Sequence, residues 1–292
     1  MTATWCICNL RFGILVPNFG DCCGSARELA ELAVLGERAR WDGFFVFDHI
    51  LYSGGLEARV VDPWVALTAI AVNTNHIRIG TLSTPIARRR PWKLARETVS
   101  VDHLSAGRLI LGVALGDPVE LDFESFDEDS DNKIRAKKLD EGLDILTGLW
   151  RGERFSYDGT YHRVRDVRFL PRCLQYPRIP IWVSGRWPRK APFLRAARWD
   201  GVFPLGLSRG SRLTPDEVRE VITFIKKHRP DTSSYDIVAT SGADGQVPSS
   251  DLLSTYETLG VTWWMHDIRR SCNSHEELRT QIEKGPPQLR MT

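Results

Sequence analysis

The sequence has little net charge and no long hydrophobic run. Its 292 residues include 39 lysines and arginines against 37 aspartates and glutamates, which leaves a formal net charge of +2. The longest basic run, Arg88-Arg89-Arg90, suggests a solvated loop, because nucleic-acid binding needs more clustered positive charge. No stretch approaches the roughly 20 apolar residues of a membrane span, and residues 1–10 lack the pattern of a signal peptide. We therefore expect a cytoplasmic protein without nucleic-acid or membrane partners.

Cysteine is also scarce, and its spacing excludes the usual cysteine-based architectures. The six cysteines are Cys6, Cys8, Cys22, Cys23, Cys173 and Cys272. A metal site built from the first four would depart from the paired spacing of zinc ligands, and the set does not resemble a disulfide framework. We expect reduced thiols and no metal site.

Several catalytic signatures are missing. The sequence contains no Gly-x-Ser-x-Gly elbow, no Walker loop and no His-Glu-x-x-His metal motif. The turn after the first predicted strand, at 16–20, lacks the glycine-rich pattern of a dinucleotide-binding sheet. These absences argue against the common hydrolase, nucleotide-triphosphatase and open doubly wound classes.

The sequence does contain a repeated alternation of short strand-like runs and amphipathic stretches. The predicted strands are 11–16, 43–47, 77–82, 108–114, 179–183, 201–205, 235–240 and 261–266. The predicted helices are 25–41, 63–73, 92–104, 134–150, 191–199, 215–228, 250–259 and 276–283. Alternation of this kind indicates a parallel sheet with right-handed crossovers. Eight units in a chain of this length predict a closed α/β fold, the (β/α)8 TIM barrel.

One segment, residues 152–177, interrupts the alternation. Asp158-Gly159 lies between two runs that contain aromatic residues, which indicates a hairpin. The segment is too short to form its own core. We therefore predict a single barrel domain over 11–284 with an insertion at 152–177, an N-terminal extension (1–10) and a C-terminal tail (285–292).

Candidate reactive residues follow the predicted strands, because the loops at these ends form the active sites of such barrels. They are Asn18, Asp48, His49, Thr81, Ser83, Gly116, Asp117, Ser184, Gly185, Arg186, Ser241, His266 and Asp267. Asp48-His49 is the sharpest candidate for catalysis, since histidine exchanges a proton near neutral pH. The alternative is a histidine whose ring is satisfied by backbone groups beneath a loop.

Two other strand ends carry small and charged residues. Gly116 would let a planar ring or a backbone segment approach, and Asp117 would bond to a ring edge or cap a turn. The run Ser184-Gly185-Arg186 suits a phosphate group, although an ordinary tight turn has the same composition.

Several strings resemble the luciferase-like family of flavin- or F420-dependent oxidoreductases (monooxygenases). The most specific is Leu-Ser-Ala-Gly-Arg-Leu-Ile-Leu-Gly-Val at 104–113. Weaker matches occur in the family's order at 43–49, 77–85, 90–97, 181–185 and 197–202.

The resemblance implies that reduced FMN or coenzyme F420 binds at the strand ends and exchanges two electrons with a small organic substrate. It places Asp48 and His49 at the ring and the substrate, with His49 as proton donor or acceptor. The cofactor-binding residues that it implies are Leu82, Ser83, Gly116, Asp117, Ser184, Gly185 and Arg186. Leu82-Ser83 would lie at a strand bulge, where the family often has a non-proline cis peptide. A flavin reductase partner and a homodimer are further implications.

Departures from bacterial luciferase argue against light emission. Leu115 stands where luciferase has a cationic residue, and Asp48-His49 replaces its paired histidines. An Asp-His pair together with Asp117 is similar to the F420-dependent branch, whose members are reductases or dehydrogenases that do not use oxygen. The sequence leaves FMN and F420 equally open.

Two other functional classes remain compatible with the sequence. One is a non-catalytic flavin-binding barrel, because a fold does not imply a function. The other is a hydrolase or lyase that uses Asp48, His49 and Asp267. Four tryptophans could either line an aromatic cleft or pack in the core. They are Trp92, Trp187, Trp263 and Trp264.

Overall fold

The computed structural model describes residues 10–20, 23–52, 59–229, 234–242, 245–246, 248–268 and 274–288. Within these ranges the strands are β1 (Arg11–Val16), β2 (Gly43–Val46), β3 (Arg78–Pro85), β4 (Leu109–Ala114), β5 (Arg154–Asp158), β6 (Arg163–Arg168), β7 (Ile181–Arg186), β8 (Gly201–Leu205), β9 (Asp236–Thr240) and β10 (Trp263–Asp267). The helices are α1 (Ala26–Arg38), α2 (Pro63–Asn73), α3 (Pro91–Leu104), α4 (Val119–Asp122), α5 (Asn132–Trp150), α6 (Lys190–Ala196), α7 (Pro215–His228), α8 (Ser250–Leu259) and α9 (His275–Glu283). Short 3-10 turns cover Ile86–Arg88 and Glu124–Phe126.

Eight of these strands form a closed parallel barrel, which confirms the predicted (β/α)8 fold. The order around the barrel is β1-β2-β3-β4-β7-β8-β9-β10, and β10 pairs with β1 to close it. The strands β5 and β6 form an antiparallel hairpin inserted after α5, as Asp158-Gly159 indicated. The alternation identified the fold because each amphipathic helix must cover one stretch of the sheet.

The ends of several elements shift by a few residues, and β7 covers Ile181–Arg186 rather than 179–183, so that Ser184, Gly185 and Arg186 lie on the strand itself. Two further local features differ from the sequence prediction. The strand β3 continues to Pro85 rather than ending at Leu82, because its pairing register with β4 shifts between Thr81 and Thr84. The helix α4 was not predicted, since a single turn of four residues shows no measurable periodicity. Both features lie at the carboxyl end of the barrel and both shape the cavity described below.

The string 104–113, the most specific part of the resemblance, contains a structural arginine at the opposite end of the barrel. The side chain of Arg108 is buried and donates hydrogen bonds to the carbonyl oxygens of Ser105 (2.7 Å), Ile77 (2.9 Å) and Ala71 (2.9 Å). It also binds both the hydroxyl and the carbonyl oxygen of Thr74, each at 2.8 Å. One guanidinium therefore satisfies the carbonyl groups at the end of α2 and fixes the turns before β3 and β4.

The described residues contain no helix that is long and apolar enough to cross a bilayer and no cluster of three or more side chains suited to hold a metal ion. Cys6, Cys8, Cys22 and Cys272 lie outside the described residues, so the expectation of reduced thiols stays a prediction for them. Cys173 is buried, and its thiol donates to the carbonyl oxygen of Gln175.

Replacing Arg108 should destabilise the protein. Arg108→Ala leaves several buried carbonyl groups without a donor, so we expect the free energy of unfolding to fall by about 3 kcal/mol. Urea denaturation measures this change. The exposed residue Arg27 provides the control, because Arg27→Ala should change the unfolding free energy by no more than about 0.5 kcal/mol. Equal stability of the two variants would contradict the structural role of Arg108.

Candidate active site

A cavity of about 830 Å³ opens at the carboxyl ends of the barrel strands. The nine residues expected to act in catalysis or cofactor binding line it, and they are Asp48, His49, Leu82, Ser83, Gly116, Asp117, Ser184, Gly185 and Arg186. Of the other strand-end candidates, Asp267 lines the cavity, whereas Asn18, Thr81, Ser241 and His266 do not. The lining residues converge because parallel strands in a closed barrel all end on the same side. The volume lies within the range of small-molecule and cofactor sites.

The lining of this cavity is divided between apolar and cationic residues. Its apolar part includes Leu15, Phe47, Tyr52, Leu82, Phe203 and Leu205. The cations that line it among the described residues are Lys133, Arg135, Arg186, Arg189, Arg195 and Arg209. A ligand with a planar apolar part and an anionic end fits this division.

The aromatic residues that line the cavity do not include the four tryptophans considered in the sequence analysis. All four lie in the described part of the chain and outside the cavity, namely Trp92, Trp187, Trp263 and Trp264. Trp263 packs inside the barrel against Phe45 and Trp182, with ring centroids 5.9 and 5.4 Å away. The core interpretation of these residues is therefore correct, except for Trp92, which is 39% exposed on α3.

His49 is held at the cavity by an aspartate that the sequence analysis missed. Its Nδ1 lies 2.9 Å from Oδ2 of Asp122 on α4. The other carboxylate oxygen of Asp122 accepts hydrogen bonds from the backbone N–H groups of Ile50 (2.9 Å) and Leu51 (3.1 Å). Because the carboxylate accepts at Nδ1, a neutral His49 carries its proton there and leaves Nε2 as an acceptor.

The surroundings of Asp122 favour its ionised form. Burial acts to raise the pKa of Asp122, but hydrogen bonding and charge from His49, the charge of Arg88 and the N–H of Leu51 outweigh burial and lower it. The pair was not visible in the sequence because His49 and Asp122 are 73 residues apart. The available signal was a second acid after β4, five residues beyond Asp117.

The carboxylate of Asp48 belongs to a buried ion-pair cluster. Its side chain is fully buried and binds Arg88 (2.9 Å) and Arg89 (2.7 Å), while Arg88 also donates to the Asp48 carbonyl oxygen (2.6 Å). Burial acts to raise the pKa of Asp48, but the charges of Arg89 and Arg88 outweigh it and lower the pKa. The solvated-loop interpretation is wrong for Arg88, whose side chain is 2% exposed, and for Arg89, which is 16% exposed.

Asn18, another residue on the candidate list, also positions this loop. It is fully buried, and its amide donates to the carbonyl oxygens of His49 (3.1 Å) and Val61 (2.8 Å). The backbone of His49 is therefore held from β1 while its ring is held from α4. A histidine fixed at both ends presents its Nε2 atom in a defined direction.

The bulge in β3 brings Leu82 and Ser83 to the wall of the cavity. The Leu82–Ser83 peptide bond is cis, at the position where the resemblance placed such a bond. The hydroxyl of Ser83 is hydrogen-bonded to the hydroxyl of Ser184 on β7. Two residues predicted for the cofactor site on separate strands are thus in direct contact.

Gly116 and Gly185 are required by packing within the protein. Gly116 has φ +93°, and a Cβ atom there would lie 2.6 Å from the Phe123 ring and 2.9 Å from Pro85. A Cβ atom on Gly185 would lie 2.4 Å from Pro192 of α6. The planar ring that was expected to approach Gly116 is therefore the side chain of Phe123.

Asp117 joins two arginines at the mouth of the cavity. Its carboxylate binds Arg186 from β7 at 3.1 Å and Arg209 from the loop after β8 at 2.5 Å. Burial acts to raise the pKa of Asp117, whereas the hydrogen bonds and charges of Arg209 and Arg186 outweigh burial and lower it. Asp117 thus orients the two guanidinium groups that face the opening.

The hydrolase alternative receives partial geometric support. Asp267 lines the cavity together with His49. His266 instead faces the helices, where its ring lies 6.0 Å from that of Trp41, and burial lowers its pKa. This alternation follows from the strand period of two.

The fold and this cleft define a class: a (β/α)8 barrel with a histidine–aspartate pair and a cationic rim at the carboxyl ends of its strands. The model of the luciferase-like monooxygenase family matches residues 10–243, so the chain belongs to that family.

Proteins similar to this chain include one that is named as F420-dependent and one that is named as flavin-dependent. An F420-dependent glucose-6-phosphate dehydrogenase from Microbacterium testaceum is 31% identical over 61% of this chain and 52% of its own length. The oxygenase component of a flavin-dependent trigonelline monooxygenase from Acinetobacter baylyi is 26% identical over 82% of this chain and 66% of its own. The chain spans about half the length of the first of these relatives.

A solved structure shows the same fold. The crystal structure of a monooxygenase from Streptomyces bottropensis superposes with a TM-score of 0.72, covering 94% of this chain and 96% of that one at 21% identity. At this identity the likeness establishes the architecture and leaves the ligand to the chemistry of the cleft.

The buried Asp48 cluster should make stability depend on pH. A carboxylate whose folded pKa is lowered stabilises the protein above its unfolded pKa of about 3.9, and this contribution is lost as pH falls through the folded pKa. Asp48→Asn should reduce the free energy of unfolding at pH 7 by about 3 kcal/mol. It should also flatten the fall in stability between about pH 5 and 2.

Urea denaturation over this pH range measures both effects. The control is Asp158→Asn, which removes an exposed carboxylate paired with Arg163 on the hairpin. It should leave the pH profile unchanged. An Asp48→Asn profile parallel to that of the unmodified protein would contradict the assigned ion-pair role.

Proposed function

We propose that this protein is a two-electron oxidoreductase that uses reduced FMN or F420 and acts on a small organic substrate. The observation that carries the proposal is the His49–Asp122 pair, which lies in one cavity with a wall of apolar residues and a rim of arginines. The cofactor supplies the electron transfer when bound. The residues of the chain bind it, orient the substrate and move the proton.

His49 is the proposed proton donor or acceptor. With Asp122 at Nδ1, the imidazole presents Nε2 to the cavity, and the buried carboxylate stabilises the positive charge that forms when Nε2 takes a proton. Asp122 is a positioning residue in this proposal. Asp48 is one as well, in place of the catalytic role expected from the sequence, because its two arginines occupy its carboxylate.

The residues of the cleft fit the expected cofactors. The apolar wall, with Phe47, Leu82 and Phe203, suits a planar tricyclic ring. Ser184 offers a hydroxyl group and Arg186 a guanidinium group to a cofactor phosphate. Arg209 is close to Arg186, because both bind the carboxylate of Asp117. The backbone at Gly185 is part of the same proposed phosphate site.

Oxygen use follows from the cofactor. If FMN binds, a monooxygenase reaction with a flavin reductase partner is the proposal, by analogy with the relative named as an oxygenase component. If F420 binds, we propose hydride transfer to or from a carbon atom of the substrate without oxygen, by analogy with the named dehydrogenase. Equilibrium titration with FMN, reduced FMN and F420, followed by fluorescence or absorbance, tests the function. Binding of none of them at micromolar concentration would refute it.

His49→Ala should reduce turnover by roughly 100-fold or more, because general acid–base catalysis contributes on that scale. We expect the cofactor dissociation constant to change less than about threefold, since the imidazole provides proton transfer and little binding area. Steady-state kinetics and a cofactor titration separate the two quantities. His76→Ala, at an exposed histidine just before β3, is the matched control. Normal turnover in the His49 variant would remove it from the mechanism.

Arg186→Ala should weaken cofactor binding and leave turnover largely unchanged, which is the opposite of the effect expected for His49→Ala. Loss of a charged donor at the phosphate should weaken cofactor binding by roughly 10- to 100-fold. Turnover at saturating cofactor should fall much less, because the guanidinium binds the cofactor equally before and during the reaction. A large fall in turnover with unchanged affinity would show that the phosphate does not bind at this position.

A further inference from the structure

A short segment after the hairpin presents apolar side chains on the outside of the barrel. We call residues 170–176 the strap. Leu170, Leu174 and Tyr176 are exposed there, and Tyr176 is 92% exposed. Leu104, the last residue of α3, is exposed as well. A single apolar residue on a surface needs no explanation, but several together mark a surface that another molecule covers.

Hydrogen bonds to the two helices beneath it fix the backbone of the strap. The N–H of Cys173 donates to the last carbonyl oxygen of α5 (3.1 Å), and the N–H of Leu174 donates to the buried carboxylate of Asp102 on α3 (2.6 Å). The side-chain amide of Gln175 donates to the same carboxylate (2.8 Å). The anchored residues Cys173 and Gln175 thus alternate with the exposed residues Leu174 and Tyr176. A surface fixed in this way loses little conformational entropy when a partner binds.

Four arginines surround the strap. They are exposed and form no ion pair within the described part of the chain, and they are Arg96, Arg151, Arg168 and Arg172. Residues 151–178 contain seven arginines, no lysine and three acidic residues, of which Asp158 and Asp166 pair with arginines of the hairpin. Arginine and tyrosine are enriched at protein–protein interfaces, whereas lysine is depleted. The composition of the strap and its surroundings therefore fits a protein partner with an acidic surface.

The same chain carries such an acidic surface at the other end of α5. We call residues 124–131 the acidic loop; it contains the exposed ring of Phe126 and the acids Glu124, Asp127, Glu128, Asp129 and Asp131. Residues 118–132 contain no lysine or arginine. Asp129 pairs with Lys138, and Asp131 caps α5. Glu124, Asp127 and Glu128 form no ion pair with a described residue.

The two surfaces lie on one side of the barrel, because the acidic loop leads into α5 and the strap is bonded to the last residue of that helix. A helix of 19 residues separates them by about 28 Å. The hairpin packs on α5 between them through Glu141 and pairs its own charges, Arg154 with Asp166 and Arg163 with Asp158. Two copies placed side by side with α5 antiparallel therefore bring each strap to the acidic loop of the other copy.

We propose that the strap of one protomer binds the acidic loop of a second copy of this chain, and that a two-fold axis repeats the contact. In this dimer the arginines around the strap face the acids of the loop, and the ring of Phe126 packs against the exposed apolar side chains. Two-fold symmetry is the commonest closed arrangement of homo-oligomers. Neither surface includes a residue that lines the cavity, so the dimer does not depend on the proposed function.

Analytical ultracentrifugation measures the association. The unmodified protein should be a dimer at micromolar concentration, and its dissociation constant should rise as salt increases from about 50 to 500 mM. The strap variant is Arg168→Glu/Arg172→Glu, and the loop variant is Glu124→Lys/Glu128→Lys. Each should raise the dissociation constant by roughly tenfold or more, because attractions become repulsions.

An equimolar mixture of the strap and loop variants separates a specific contact from damage to the fold. In the mixed dimer a reversed strap meets a reversed loop, and an unmodified strap meets an unmodified loop, so both contacts are attractive again. The mixture should dimerise with a dissociation constant within about threefold of that of the unmodified protein. Two damaged proteins would not restore each other.

The apolar part of the contact and the control need one variant each. Leu174→Ser/Tyr176→Ser should weaken the dimer by roughly tenfold, because the buried apolar area is lost. The control Arg27→Glu/Arg38→Glu makes the same change in net charge as the strap variant on α1, outside both surfaces. It should dimerise as the unmodified protein does. Thermal melting of every variant checks that it is folded.

Four results would overturn the dimer. They are a monomer at about 50 μM and low salt, a dissociation constant unchanged in the strap and loop variants, a mixture that fails to dimerise, and open polymers in place of a dimer. A monomer whose strap binds vesicles of phosphatidylcholine and phosphatidylglycerol would assign this surface to a bilayer and also refute the proposed contact. In each case the cofactor titration still decides the proposed function by itself.

Discussion

A buried carboxylate between two arginines organises the floor of the cleft. Asp48 has no exposed side-chain surface, and it connects the loop after β2 to the turn after β3 through Arg88 and Arg89. Arg88 also lies 3.9 Å from Asp122, so the charges of the cluster extend to His49. Burying such charges is unfavourable unless every partner is present. The loops that carry the site are therefore coupled, and the direction of His49 depends on residues that do not reach a ligand.

The two ends of the barrel have different tasks. At the amino ends of the strands, Arg108 satisfies backbone carbonyl groups, and the most specific sequence string surrounds it. At the carboxyl ends, polar groups face a cavity and include the hydroxyl pair Ser83 and Ser184. This division is the usual one for the fold, where one end provides stability and the other carries the chemistry. A motif that identifies a family therefore need not lie at its active site.

Much of the architecture followed from local chemistry. The short strand-like runs and the amphipathic stretches between them indicate a parallel sheet covered by helices, and eight such repeats in one chain predict that the sheet closes. Because strand ends meet on one side of such a barrel, a position at or just after the carboxyl end of a strand was enough to place Asp48, Ser83, Asp117 and Ser184 around one cavity. The hairpin was visible because Asp-Gly turns have a strong local preference.

The sequence alone predicted the barrel, the inserted hairpin and part of the lining of the cavity, since each of these depends on the order of strands and helices or on position along a strand. The tertiary structure decided which side chains pair. It assigned Asp48 to two arginines and His49 to an aspartate 73 positions away. It also showed that Phe123 fills the space at Gly116. Hydrogen bonds and ion pairs between distant segments leave no periodic trace, because they depend on where the folded backbone brings two side chains, and only the closed barrel fixes that.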